Sequence, residues 1–167
     1  ALQQETEQLV AAFSAPYSLQ MLELDSVGMF DTAVEDAGKI FVTTELGGGG
    51  SSSAKTVAIA ERGITNVLIR AGILNGELQL SPTVYLKQDD SACFITSEHD
   101  GLFEICHDLG AMVKKGDVVA RVHDMKRTGV KPIEYTAKCS GLVTGRHFPG
   151  VIHSGDNMLV ISEIVSA

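Results

Sequence analysis

Apolar and polar positions follow one rhythm in the first half of the chain and another in the second. In residues 3–13, QQETEQLVAAF, Leu9, Val10 and Phe13 fall on one side and the Glu and Gln residues on the other. That spacing predicts an amphipathic helix closed by Pro16. Residues 18–24, SLQMLEL, alternate Leu19 and Met21 with polar neighbours and predict a strand. Residues 29–37, MFDTAVEDA, predict a short helix with Gly38 as its left-handed terminator. Residues 40–46, IFVTTEL, are β-branched and bounded by glycines, which predicts a buried strand. After the glycines 47–50 and the serines 51–53, residues 54–73 predict a helix of several turns with Ser52 or Ser53 as its N-cap. Helix, strand, helix, strand, helix is the order of an α/β domain with crossover connections. Two strands make no stable sheet of that kind, so residues 1–76 are expected to be the C-terminal half of a larger α/β domain.

From residue 82 to 164 helical periods give way to short apolar runs separated by turn signals, and 77–167 is assigned to a small β-sandwich. It carries an internal repeat. Asp100 to Val122 reads DGLFEI…LGAMVKKGDVVARV, and Ser140 to Ile161 reads SGLVTG…PGVIHSGDNMLVI. Gly101 matches Gly141, Gly110 matches Gly150, Gly116 matches Gly155, and Asp117 matches Asp156. Strand, glycine turn, short strand and Gly-Asp turn into a further strand make half of a two-fold pseudosymmetric unit.

Composition narrows the function classes. The balance of 44% hydrophobic and 20% charged residues is that of a globular chain, and the net charge of −8 repels a phosphate backbone. Aromatics at 5% and the lack of Trp leave little stacking surface for single strands, so no nucleic-acid partner is expected. No apolar run reaches the length of a membrane span, and no signal peptide is visible. Cys93, Cys106 and Cys139 lack any CxxC spacing and are expected to be free thiols in a cytoplasmic setting. A chain opening on Ala1 rather than methionine points to a start other than the native one.

Chemistry is expected where the predicted strand 40–46 meets the glycine run. Glu45 there places a carboxylate at the C-terminal edge of a buried strand, the side on which α/β sheets bind their ligands. Partly desolvated, it would have a raised pKa suited to moving protons. A solvated strand-end Glu is the bland alternative, and a Glu45 turned out into bulk solvent would count against the catalytic role. Gly47, Gly48 and Gly49 are read as a tight loop that lets a substrate approach the backbone closely. A phosphate cradle would need Gly-Lys-Ser/Thr, and a flexible linker would not sit between a strand and a helix. Met125-Lys126 between the half-repeats suggests a biotinyl- or lipoyl-like carrier, but the connecting segment is long and lacks the Ala-Met-Lys-Met pattern, so Lys126 is read as a solvated lysine. His147 and His153 are read as hydrogen-bonded surface histidines, with His147 also weighed as a lining residue at a site entrance.

LDSVGMFDTA at 24–33, TTELGGGG at 43–50 and AIAERGITNVLIRAGIL at 58–74 resemble the second half of the catalytic domain in the succinylglutamate desuccinylase/aspartoacylase family. SEHDGLFEICHDLG and the terminal repeat resemble the β-domain that follows it there. The resemblance covers essentially the whole chain and implies a zinc-dependent amidohydrolase. The GMFDTA…TELGGGG combination is most similar to the branch acting on N-acetyl-diaminobutyrate in ectoine degradation, which implies a small N-acyl amino acid substrate. It further implies that Glu45 takes a proton from zinc-activated water and passes it to the leaving amine. The family's zinc ligands, a His-x-x-Glu pair and a later His, lie upstream of the matched region. None of His99, His107, His123, His147 and His153 stands in a His-x-x-Glu arrangement, so no metal ligand is assigned here. The resemblance thus makes a missing N-terminal zinc-binding segment a required partner. It gives the β-domain the role of capping the cleft or supporting homo-oligomer contacts. Little activity is expected of the chain by itself. A non-enzymatic carrier or interaction module is the alternative.

Overall fold

The computed structural model describes residues 2–21, 28–88 and 91–166. The chain forms two compact units, Ala1–Ser18 with Glu23–Tyr85 and Leu19–Leu22 with Leu86–Ser166.

The first unit is built on three helices. Helix α1 spans Leu2–Phe13, and the chain then passes into strand β1, Tyr17–Met21; the predicted strand 18–24 otherwise lies outside the described residues. Helix α2 spans Phe30–Asp36 and ends in a Schellman turn. In it Gly38 takes φ +68° and Lys39 N–H donates to Val34 O at 3.1 Å. Helix α3, Ala54–Arg70, starts at a capping box in which Ser53 Oγ accepts from Thr56 N–H and the Thr56 hydroxyl accepts from Ser53 N–H. A similar left-handed Gly72, φ +72°, closes it. Gly63 of α3 lies so close to the Phe13 ring of α1 that a Cβ would come within 2.5 Å of it.

Residues 40–46 differ from expectation. They form no strand, and among the described residues no backbone hydrogen bond reaches them. A β-ladder exists only between two strands, and no described strand lies alongside to pair with this one.

Residues 77–85, assigned from sequence to the β-domain, cluster instead with the helices. Two buried polar side chains hold them there. Asn66 Nδ2 donates to Gln79 O at 3.0 Å while Asn66 Oδ1 accepts Gln79 N–H at 2.9 Å, so its amide imitates a neighbouring strand. Ser14 Oγ donates to Ser81 O at 2.9 Å and accepts Ser81 N–H at 2.6 Å. Ser14 holds φ +57°, the left-handed region, after α1 ends.

The second unit is two sheets. Strands β2 (Val84–Gln88), β3 (Phe94–Thr96), β5 (Met112–Val113), β8 (Gly141–Arg146) and β10 (Asn157–Ser166) join β1 in the order β1-β2-β10-β8-β5, with β3 also on β10. Strands β4 (Gly101–Ile105), β6 (Val118–His123), β7 (Ile133–Thr136) and β9 (Val151–Ile152) lie in the order β7-β6-β4-β9.

The sequence repeat is visible as structure. β5 of the first half pairs with β8 of the second, and β9 of the second pairs with β4 of the first. Each half therefore lends a short strand to the other. The Gly-Asp turns are superimposable in their bonding. Asp117 accepts Lys114 N–H at 2.8 Å and Asp156 accepts His153 N–H at 2.9 Å. Gly116 and Gly155, both at φ +96°, donate to Ala137 O and Ser97 O. Between the sheets lies a dry core in which Val119, Ile152, Met158, Leu159 and Ile161 are wholly buried. Burying each such side chain stabilises the fold by roughly 1.5–3 kcal/mol.

The matched glycines Gly101 and Gly141 exist for close backbone approach: a Cβ would stand 2.4 Å from His123 O in one case and 2.2 Å from Ser162 O in the other. Gly141→Ala is therefore expected to destabilise the β-unit by about 1–3 kcal/mol, as overpacking does. Gly48→Ala meets nothing within 4 Å, and should stay within about 0.5 kcal/mol of the parent. Urea unfolding midpoints test the pair, and equal midpoints would show that contact with Ser162 O is not what selects glycine.

Candidate functional site

The stretch from 40 to the start of α3 carries the predicted site residues. Ile40, Phe41, Val42 and Leu46 are half-buried, whereas Thr43, Thr44 and Glu45 are exposed. The Glu45 carboxylate has no hydrogen-bond or ion-pair partner among the described residues. The desolvation expected at a buried strand end is thus absent, because residues 40–46 have no neighbouring strand to exclude water. On this chain by itself, that exposure counts against a proton-shuttling carboxylate.

The glycine run is a defined turn rather than a loose tether. Gly47, Gly49 and Gly50 take φ +95°, +61° and +67°, all in the region that disfavours a side chain. Ser51 closes the turn twice on Gly48 O, through its N–H at 3.2 Å and its hydroxyl at 2.8 Å. The turn leads into Ser53 and the capping box, so its far end is fixed by the start of α3. Gly48, without a left-handed φ, exposes its carbonyl side to Ser51 alone among described groups.

The histidines do not converge. His99 Nδ1 lies 2.8 Å from Tyr135 Oη, which also accepts Glu98 N–H at 2.9 Å. His147 Nε2 lies 2.9 Å from Val151 O, its ring edge-on to Phe103 at 5.8 Å. His153 Nδ1 stands 3.7 Å from Asp100 Oδ1. Among the described residues no group of three His, Cys, Asp or Glu side chains is placed to hold a metal ion. Lys126 is exposed in the nine residues between β6 and β7, with its N–H donating to Asp124 Oδ1 at 2.8 Å. The cysteines Cys93, Cys106 and Cys139 are all unpaired thiols. No described helix is long and apolar enough to cross a membrane.

One polar cluster was not anticipated. On the outer face of the β4-β6-β7 sheet, Arg121 bridges Glu104 at 2.9 Å and Glu134 at 3.0 Å, and His123 Nε2 stands 2.5 Å from the other Glu104 oxygen. Its signal was present as alternation: Arg121 and His123 occupy every second position of VVARVH, and Glu104 and Glu134 face Arg121 in register. The hydrogen bonds from His123 and then Arg121 hold the Glu104 carboxyl below its ordinary 4.5. Burial pushes the nearby Cys106 thiol upward.

Comparison with known proteins places this geometry. A family model described as the Succinylglutamate desuccinylase/Aspartoacylase catalytic domain matches residues 1–71. The chain is 50% identical over 158 residues to the N-alpha-acetyl-L-2,4-diaminobutyric acid deacetylase of Halomonas elongata, covering 93% of this chain and 46% of that protein. The product-bound ectoine utilization protein EutE (DoeB) from Ruegeria pomeroyi is 58% identical with a TM-score of 0.95, over 98% of this chain and 50% of that one. A succinylglutamate desuccinylase from Silicibacter sp. TM1040 gives 56% and 0.93, over 98% and 50%. The α/β piece followed by a β-sandwich is the fold of these relatives' C-terminal part. The chain spans about half the length of the relatives it matches.

A depressed carboxyl pKa in the folded state stabilises above the unfolded value and loses that contribution as pH falls through the folded one. The cluster at Glu104 is therefore expected to weaken as pH drops below 4.5. Carbon-detected NMR titration should find the Glu104 midpoint under 4.5, and Glu104→Gln should flatten the acid limb of β-unit stability. A midpoint at or above the ordinary value would contradict the assignment.

Proposed function

Since residues 1–71 belong to the succinylglutamate desuccinylase/aspartoacylase catalytic-domain family, we propose that this chain is the C-terminal part of a zinc-dependent amidohydrolase. It deacylates an N-acyl amino acid, N-acetyl-diaminobutyrate in the first instance. The observation that carries the reading is the 50% identity, along 93% of this chain, to a deacetylase acting on the N-acetyl form of diaminobutyric acid.

The described side chains do not fit a zinc site, since no three ligating groups come together. In this reading the metal sits on polypeptide beyond the chain, a missing N-terminal zinc-binding segment. What this chain contributes is a carboxylate and a shaped loop. Glu45 acts as general base toward the attacking water and then as general acid toward the leaving nitrogen. Amide nitrogen is a poor leaving group until protonated, so one carboxylate that first accepts and then returns a proton serves both halves of the reaction. Gly47, Gly48 and Gly49 border the substrate, their lack of side chains leaving backbone groups open to close approach. An exposed carboxylate is a weak base, so Glu45 takes up this role only when the missing segment covers it and excludes water. The proposed setting is the cytoplasm, supported by three unpaired thiols and an acidic surface. The β-unit caps the cleft or supports homo-oligomer contacts.

Joined to its upstream segment, the protein is expected to release acetate from N-acetyl-diaminobutyrate, while the isolated chain releases little. Glu45→Gln in the joined protein should lower kcat by roughly a hundredfold or more with a smaller change in KM, the usual range for loss of a general base. An undiminished rate in that variant would remove Glu45 from the chemistry.

A further inference from the structure

The first unit exposes two kinds of unmet demand on the same stretch of chain. Residues 40–46 carry the β-branched run of a strand yet receive no backbone hydrogen bond from any described residue. Half-buried Phe41 packs edge-on against Phe30 at 5.6 Å, and Phe30 is still 74% exposed. Helix α3 has a second apolar side besides the one it turns to α1. Ile64 is one residue, hence about 100°, round the helix from buried Gly63. Val57, Ala60, Ile64 and Leu68 recur on that side at helical spacing. Val57 and Ile64 are 46% and 55% exposed. Isolated apolar residues on a surface are ordinary, but a helical stripe beside an unpaired strand sequence is a surface awaiting a layer.

We propose that residues 40–46 and the Val57–Ile64 side of α3 form the docking surface for a strand-bearing stretch of polypeptide, the half of the fold that the relatives carry ahead of the matched region. The inference rests on the reading of this chain as the C-terminal part of such an enzyme. The occupant follows from length and shape. The chain spans 50% of EutE yet superposes on it with a TM-score of 0.95 over 98% of its own residues. Its fold is therefore the one it has when the other half is present, and the surface is preformed. An added strand satisfies the backbone of 40–46 by ladder pairing, and the layer it belongs to removes Val57, Ile64 and Phe30 from water. It also buries the approach to Glu45, which is the condition the catalytic reading requires.

The test is co-expression of this chain with the N-terminal remainder of the Halomonas elongata deacetylase, followed by size-exclusion with light scattering and hydrogen exchange. A one-to-one complex with slowed exchange at amides 41–46 is expected. Val57→Glu with Ile64→Glu places charges where apolar contact is needed and should weaken association by about tenfold or more. Thr44→Pro removes one ladder donor without touching the helix and should weaken it independently. Circular dichroism melting of each variant alone should match the parent. Failure to recover any complex, a complex whose 41–46 amides exchange as in the free chain, or a homodimer of this chain that protects them would each overturn the proposal. A protected complex that releases no acetate with zinc supplied overturns the enzymatic reading and leaves the docking surface standing. Glu45-dependent acetate release from a complex indifferent to all these variants does the reverse.

Discussion

Every backbone N–H and C=O withdrawn from water must find a partner, and how the chain meets that demand separates its parts. In the β-unit the demand is met by exchange: each half-repeat gives its short strand to the other, so neither half is complete without its twin. In the helical unit it is met by side chains, with Asn66 and Ser14 standing in for a strand along residues 79–81. Residues 40–46 are where it is not met within the described chain. Leaving a buried amide unpaired costs about 1–3 kcal/mol, so a strand sequence without a partner stays where water can reach it.

The state of Glu45 follows from that constraint. A carboxylate's basicity depends on how much water surrounds it and on which charges stand nearby. Here the residue is in solvent because the strand it terminates has no neighbour. The contrast with Glu104 is instructive, since two partners supplied by its own sheet already fix that carboxyl in its ionised form. Glu104 is a finished ion pair and has no proton to trade near neutrality. Glu45 is unpartnered among the described residues, and its character is left to whatever polypeptide covers it.

Features set by a few neighbouring residues were legible in the sequence. Ser53 as a cap, Gly38 and Gly72 as left-handed terminators, and the four matched Gly and Asp positions of the repeat each act over one turn of chain. What depends on distant partners was not. The pattern of IFVTTEL correctly marks a segment fit for a strand, but pattern carries no information on whether a second strand is present. Residues 77–85 were given to the β-domain because they lack helical period. Their attachment to the helices runs through Asn66 and Ser14, polar residues that sequence reading places on the surface. Glu45 was identified at the right point of the chain, and its solvent exposure was not foreseen for the same reason as the missing strand.

The glycine loop shows which part of the site needs no partner. Three left-handed glycines and the double closure of Ser51 on Gly48 O set the turn by local sterics, and the α3 cap anchors its far end. Ordering a residue's backbone costs on the order of 1–2 kcal/mol, and for this turn that cost is already met during folding of the chain itself. Association then has only to supply ladder pairing for 40–46 and a dry surface over Glu45. A loop shaped in advance, beside a carboxylate activated only on assembly, ties the onset of chemistry to completion of the fold. The split between local and non-local forces along residues 40–53 is thus also a split between what the chain prepares and what it must be given.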